Sequence, residues 1–506
     1  MSDAAEVARG LTLHSSAGRI ALAATVGASS MAMLDATVVN VALPHIGADF
    51  GVSVSALQWV LTGYLLALAS LILLGGALGD RFGRRRVFLV GTVWFATASL
   101  LCGAAPGIQV LVAARVLQGI GAALLTPGSL AILEASYATD DRAAAVGAWS
   151  GLGGVAGAIG PFLGGWLVDG PGWRWAFLIN VPVAMVVVVC TRAAVPESRD
   201  PHARALDLSG AAIATVTLAA ATWSLTEAGP RGFTDPAVIA TGFAALSGAA
   251  AFVWHMVNAH NPLVPPGLFR SRAFTITNLA TVLLYAALGV SFFLVVYQLE
   301  VAVGWSGMRA GTALLPATVL MFLFSARSGA IAQRIGARFQ LTLGPLLVAG
   351  GLLLLSRVGP DAEWLTDVLP GAIVFGLGLV TFVAPLTATV MGSVDDDHVS
   401  IASGVNNAIA RTAGLAAVAV IPAISGLSVA VGAAQVTHAY RVSLVIAACV
   451  AAGAAPLAFV GLSPHARLRR SARRRYCSVD GPPLQPDPAR CPVTSALRAS
   501  PGDVTS

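Results

Sequence analysis

Apolar residues run along this chain in long unbroken blocks, separated by short clusters of arginine, glycine, proline and acidic residues. The blocks fall at about 19–42, 56–78, 86–105, 107–133, 143–168, 174–196, 208–227, 236–256, 274–299, 310–332, 339–358, 366–391, 400–426 and 441–462. A helix needs roughly 20 apolar residues to cross the hydrocarbon core of a bilayer, and the blocks have about that length. None shows the period-2 alternation of a barrel strand. The pattern therefore predicts an all-α integral membrane protein with 14 transmembrane helices.

Composition agrees with that choice of solvent. Of 506 residues, 56% are hydrophobic and 11% charged, with a mean hydropathy of +0.79. A soluble domain carries about 25% charged residues. The formal net charge of +6 is carried by arginine alone, because the chain has no lysine. The arginines stand between apolar blocks, so they are no nucleic-acid footprint, and their exclusive use points to a high-GC bacterial genome. Cys102, Cys190, Cys449, Cys477 and Cys491 have no paired spacing, which argues against a disulfide frame or a metal site. HExxH, P-loop and nucleophile-elbow motifs are all absent, so neither hydrolytic chemistry nor direct ATP drive is expected. The first block lacks a small-residue cleavage site followed by a soluble domain, and reads as a retained span.

Arginine also orients the chain. With fourteen spans the termini share one side, whose loops hold Arg81, Arg84, Arg85, Arg86, Arg142, Arg192, Arg199, Arg204, Arg270, Arg272, Arg334 and Arg338. The opposite loops hold Arg174, Arg231, Arg309, Arg357 and Arg441. The excess places both termini in the cytoplasm, for a multi-pass protein of the bacterial cell membrane. After residue 464, HARLRRSARRRY forms a basic patch suited to anionic lipid. The rest, rich in Pro, Ser and Asp, cannot bury a core and reads as disordered.

The loop GALGDRFGRRR (76–86) has a worn copy in GAIAQRIGARF (329–339): Gly76, Arg81, Gly83 and Arg85 recur as Gly329, Arg334, Gly336 and Arg338. Internal repeats of this kind mark transporters built from two similar halves. The copies are eight helices apart, so two helices are inserted between two six-helix bundles. The expected organisation is a 1–18 N-terminus, a 19–196 bundle of helices 1–6, a linking helix pair at 197–256, a 257–464 bundle of helices 9–14, and a 465–506 tail.

Several segments now resemble one family. GALGDRFGRRR is similar to the signature between helices 2 and 3 of the major facilitator superfamily. LVAARVLQGIGAA (111–123) resembles its helix 4 motif, and GAIGPFLGGWL (157–167) the helix 5 motif associated with exporters, with Ala156 where Gly is usual. LDATVVNVALP (34–44), QWVLTGYLL (58–66) and WRWAFLINVP (173–182) resemble the fourteen-helix drug:proton antiporter branch. The resemblance covers roughly residues 19–462.

Candidate site residues follow from depth and from these motifs. Asp35 is the only charge between Ile20 and Ala42, and an ionisable group at that depth costs about 2.5–3.5 kcal/mol on insertion scales and marks a functional site. Desolvation works against its charged form, so it can hold a proton; ionised, it can attract a cationic ligand. A purely structural Asp held neutral by Thr37 is the plainer alternative. Arg115 stays charged and needs a carboxylate, a carbonyl or water; it either satisfies helix ends or tunes the proton affinity of a cavity acid, and the resemblance implies the second. In the 2–3 loop, Gly76 and Gly83 permit tight turning. Asp80 is expected to meet the N-terminus of helix 13 near Ser400 as a cytoplasmic gate, with Arg81, Arg84, Arg85 and Arg411 taking part; Glu134 is expected to face Arg84 or Arg85. Gly147, Gly157, Gly160, Pro161, Gly164 and Gly165 of helix 5 allow close packing and a kink; the resemblance links them to antiport. Trp59, Tyr64, Trp149, Tyr297, Gln298 and Asn406 are candidate walls of a drug cavity, with plain packing an equal account of each. Some members of the branch carry further acids in helices 10 and 13. Neither span has one here, which leaves Glu227 and Glu300.

The expectation is a proton-driven exporter of amphipathic drugs or antibiotics, working by alternating access and conferring resistance. It needs no cofactor, since the proton gradient drives it. Its partners are a small amphipathic substrate, protons and the lipid bilayer, with no nucleic acid, and it acts as a monomer. A proton-coupled uptake symporter of the same fold is the alternative; a membrane sensor without transport is more remote.

Overall fold

The computed structural model describes residues 11–462 except 201–205, 395–398 and 428–431, and some side chains within 139–158, 326–335 and 399–400 lie outside the described set. The expected tail therefore falls beyond the described residues. The long helices are α1 Ser16–Phe50, α2 Val54–Phe82, α3 Arg84–Gly103, α4 Ile108–Ser136, α5 Thr139–Asp169, α6 Trp175–Ala194, α7 Leu208–Arg231, α8 Pro236–Asn258, α9 Arg272–Val301, α10 Leu315–Ile335, α11 Ala337–Leu355, α12 Leu369–Gly392, α13 Val399–Ile424 and α14 Ala433–Gly461. A short turn, Gly307–Gly311, precedes α10, and a π-helical turn, Trp364–Val368, leads into α12. Among the described residues no strand occurs, and 13 helices are long and apolar enough to cross a membrane. The expected span at 143–168 lies inside α5, a continuous 31-residue helix that is not one of the thirteen.

Packing repeats with the offset that the loop motif suggested. In the first bundle α1 packs on α5 and α6, α4 on α2 and α3, and α3 on α6. In the second, α9 packs on α13 and α14, α12 on α10 and α11, and α11 on α14. The repeat extends to the backbone: Gly83 and Gly336 end α2 and α10 with φ of 110° and 88°, a left-handed conformation that glycine adopts without a Cβ penalty. These two glycines define one end of the molecule, called here the arginine-loop end.

Small residues set the helix spacing. A Cβ on Gly121 would stand 2.7 Å from the backbone N of Phe95, and one on Gly75 would run into the carbonyl of Ala123. Such positions let α4 lie against α2 and α3 at close range. The bundles meet along α2 and α13, along α1 and α9, and where α5 faces the turn before α10. On the α2–α13 seam, Gln58 Nε2 donates to Val418 O at 2.8 Å, and Gly404 sits on the Leu73 side chain nearer the arginine-loop end.

The two linking helices differ in how they are held. α7 packs on α2 and α13, whereas α8 packs on α7 and is almost wholly exposed, as a lipid-facing helix should be. Asp207 caps α7 through Gly210 N at 2.7 Å, accepts from Leu263 N at 2.9 Å, and contacts His255 Nε2 of α8 at 2.8 Å. It thus ties both linking helices to the approach of the second bundle. Burial raises the pKa of this carboxyl, but the hydrogen bonds from His255 and the two backbone amides outweigh burial and hold it below the usual Asp value. Stability from a depressed carboxyl is present above the ordinary Asp pKa, about 3.9, and is lost as pH falls through the lower folded value. Asp207→Asn should lower stability in detergent by about 1–3 kcal/mol, and the deficit should vanish in strong acid. Thermal unfolding followed from pH 7 downward reads both; a pH-independent deficit would show that the carboxylate charge is not what matters.

Candidate functional site

Five helices of the first bundle converge on one carboxylate. Asp35, deep in α1, is 1% exposed, and Arg115, in the second turn of α4, is fully buried. Arg115 Nη1 donates to Asp35 Oδ2 at 2.6 Å. Asp35 Oδ1 accepts from Gln118 Nε2 at 2.7 Å and from Asn180 Nδ2 of α6 at 3.2 Å. Gln118 follows Arg115 by three residues, which puts both on one face of α4, and its Oε1 accepts from Arg115 Nη1 at 2.6 Å. Ser99 Oγ of α3 accepts from both Gln118 and Asn180, at 2.7 and 3.0 Å. α2 completes the shell: Val60 O accepts from Arg115 Nε at 3.0 Å, and the guanidinium carbon stands 4.3 Å from the centre of the Tyr64 ring. Gly119 makes this approach possible, since a Cβ there would strike Tyr64 O.

Chemically this is a charge-balanced pair with both carboxylate oxygens satisfied and no opening to water. Thr37 takes no part, because its hydroxyl bonds back to Met33 O and Leu34 O. The expectation that Asp35 itself faces a cationic ligand is also corrected for this conformation: the carboxylate faces Arg115 inside the first bundle. The charge of Arg411 on α13 acts on both Tyr64 and Tyr285. Arg411 makes no hydrogen bond or ion pair among the described residues.

The remaining cavity candidates divide. Trp149 Nε1 donates to Ser29 Oγ at 3.0 Å, joining α5 to α1. Asn406 Nδ2 donates to Asn278 Oδ1 and Thr281 Oγ1, both at 2.9 Å, joining α13 to α9. Trp59 Nε1 donates to Glu227 Oε1 at 3.3 Å, and Glu227 pairs with Arg231 at 3.0 Å, so these residues fasten α7 to α2. Gln298 Nε2 donates to Thr437 Oγ1 at 2.9 Å, and Tyr297 packs on Phe293, both inside the second bundle. Glu300 faces His45 across the seam at 3.3 Å. Gln118, Asn180 and Ser99 were not foreseen, although a lone Gln or Asn in an apolar block is a signal of the same kind as Asp35.

At the arginine-loop end, Asp80 turns back to Arg84, with Nη2 to Oδ1 at 2.8 Å. Arg84 thus makes its ion pair with Asp80, and its charge also acts on Glu134, the expected partner, without a direct bridge. Segment 195–200, which follows α6, holds the loop instead. Glu197 Oε1 accepts from Arg85 N at 3.0 Å, Arg86 Nε lies 3.7 Å from Oε2, and Arg85 Nη1 donates to Val195 O at 3.1 Å. Ser198 O accepts from Arg84 N at 2.8 Å. Glu197 also explains Gly83, where a Cβ would stand 2.7 Å from its carboxylate. Arg81 lies against the Phe82 ring and Gly76 against Pro127. The expected contact of Asp80 with the start of α13 near Ser400 falls outside the described residues.

The helix 5 motif has two working faces. Gly160 and Gly164 take Thr37 and Val38 of α1, while Gly165 takes the backbone of Met308, and Pro161 O takes Gly311. The motif therefore wedges between α1 and the entry to α10, at the seam. Asp169 closes that contact, accepting from Gly307 N at 3.0 Å and Met308 N at 2.9 Å. Gly147 has open space beside it, and the surroundings of Gly157 are outside the described set.

Removing one charge of the Asp35–Arg115 pair leaves the other buried alone, which costs about 3–5 kcal/mol. Arg115→Leu should lower the unfolding temperature in detergent sharply. Combining it with Asp35→Asn should restore much of the loss. Independent, additive losses in the double variant would contradict the pairing.

Comparison with known proteins agrees with this architecture. Residues 25–419 match the Major Facilitator Superfamily. The chain is 35% identical to the multidrug resistance protein Stp of Mycobacterium tuberculosis over 392 residues, covering 76% of this chain and 72% of Stp. It is 33% identical to the puromycin resistance protein pur8 of Streptomyces alboniger over 461 residues, covering 87% and 90%. It is 34% identical to the probable actinorhodin transporter of Streptomyces coelicolor over 415 residues, covering 79% and 71%. Among solved structures, a peptide transporter POT in complex with sulfate shares the fold, with a TM-score of 0.64 at 14% identity, covering 90% of this chain and 99% of that one. Two bundles with a repeated packing, the 2–3 loop and these matches make one conclusion: the chain is a membrane transporter belonging to the Major Facilitator Superfamily.

Proposed function

We propose that this transporter exports amphipathic antibiotics or related drugs in exchange for protons, by alternating access. The observation that supports this most is the buried Asp35–Arg115 pair. A proton on Asp35 cancels its charge and leaves Arg115 without its counter-ion in a water-free core. The guanidinium must then find other acceptors, and its neighbours Gln118, Val60 and Tyr64 must rearrange. A two-state element of this kind is what a proton needs in order to bias a conformational equilibrium. Tyr64 lies on the seam helix α2, where the charge of Arg411 of the other bundle acts on it.

The arginine bias assigns the arginine-loop end to the cytoplasm and the opposite end, with its α5 contact, to the outside. The described structure is then closed on the outside by α5, Asp169 and Gln58. A proton entering from outside loads Asp35 and weakens drug binding; inward opening releases the proton and admits the next drug. The export direction is supported by the helix 5 motif at the seam and by relatives named for antibiotic resistance and export, such as the tetracenomycin C resistance and export protein of Streptomyces glaucescens, 32% identical over 401 residues.

Purified protein in liposomes with an imposed pH gradient tests this directly. Addition of a substrate from a panel of lipophilic drugs and antibiotics should trigger proton movement, and Asp35→Asn should reduce it at least tenfold. Arg115→Gln should also uncouple it. Proton movement that survives Asp35→Asn would place the coupling elsewhere, and drug accumulation on the side opposite to that expected would establish uptake instead.

A further inference from the structure

Glu300 ends α9 on the seam between the bundles, and its side chain is 4% exposed. Asp35 has three hydrogen-bond donors. Glu300 has no well-formed one: both of its oxygens are closed to solvent and neither accepts a hydrogen bond of sound geometry among the described residues. The group facing it is His45 of α1, in the opposite bundle, whose Nδ1 lies 3.3 Å from Oε2. That nitrogen is likewise buried without a hydrogen bond, while the His45 side chain as a whole is 41% exposed, so water reaches the ring.

A carboxylate buried without hydrogen bonds is not kept as a free anion. It is neutralised, or it pairs with a cation. Whether the proton sits on the imidazole or on the carboxyl, the closed pair holds one. Asp169 of α5, anchored on Gly307 N and Met308 N, is the further negative charge acting on both members, and it adds to that requirement. The other charges of the neighbouring helices are turned elsewhere. Asp49 of α1 holds Arg174 and Trp173, Arg309 covers the Trp305 ring, and His438 and Arg441 of α14 are exposed.

We propose that His45 and Glu300 form a proton-binding latch across the outer end of the seam, separate from the Asp35–Arg115 centre, which takes up a proton as that end closes. The assignment of this end to the outside rests on the orientation given above. When the end opens, both side chains meet water and titrate near their ordinary values, about 6.5 and 4.3. At pH 7.5 the separated pair holds about 0.1 proton, and the closed pair holds one. Closure therefore takes up about 0.9 proton at that pH, and the closed form gains as outside pH falls from 8 towards 6. Below that range the open imidazole already carries its proton and the effect flattens. The step assisted is the closing of the emptied, outward-open transporter by the acidic side of the gradient.

The test reads the outer end by distance. Spin labels are placed at Gln109→Cys and Asp361→Cys, exposed positions in opposite bundles, with native cysteines replaced. Asp35→Asn is present throughout, so that the central pair does not titrate. Between pH 8 and 6 the ratio of closed to open distances should rise about 25-fold. Glu300→Gln, which needs no proton when buried, should abolish that rise on acidification. His45→Asn should move the dependence to lower pH, because the proton must then sit on Glu300 alone. A slope unchanged by Glu300→Gln, or no slope in the parent, would overturn the latch. Because no drug is present, these distances stand apart from the exporter reading, which fails only in the liposome assay.

Discussion

The structure depends on the cost of keeping one ion pair dry. Each charge of the Asp35–Arg115 contact loses several kcal/mol of hydration on burial, and their attraction offsets that only with good geometry and the remaining donors and acceptors satisfied. This explains the density of polar groups around the pair. Gln118, Asn180, Ser99 and the carbonyl of Val60 come from four different helices and close on the same two side chains. Any shift of α1 against α4 breaks several of these bonds together. The first bundle consequently has few intermediate arrangements available at its centre, which is the property a switch requires.

The seam between the bundles is made differently. It relies on glycines and on backbone groups: Gly165 and Gly311 beside Met308 and Pro161, Gln58 on a carbonyl, and Asp169 on two amides. These close contacts lie within one apolar cluster that joins residues of both bundles. The two regimes meet at Tyr64, packed on Arg115 from one side and influenced by Arg411 from the other.

Depth along a span was legible in the sequence; direction around a helix was not. The apolar blocks located the helices, though α1 runs on from the expected 19–42 to Phe50, since helix ends outside the hydrocarbon are free to be polar. Asp35 and Arg115 stood out because a charge at bilayer depth is conspicuous whichever way it faces. In the repeated loop motif, tight turning was expected at Gly83, and the same positive φ recurs at its copy Gly336. For Trp59, Glu227 and Gln298 depth alone left cavity and packing equal accounts, because rotation about the helix axis, which turns each to a neighbour, is not written in depth. Glu197 was missed because it lies in a polar connection, where one more acid carries no signal until the loop beside it is folded.

Infrared difference spectroscopy of the protein in lipid tests the central claim most directly. Acidification should bring in the C=O stretch of one newly protonated, water-inaccessible carboxyl group, and that band should be missing from Asp35→Asn while persisting in Glu300→Gln. A spectrum in which Asp35→Asn retains every protonated-carboxyl band of the parent would contradict the account, because Asp35 would then not be the group at which the proton is taken up.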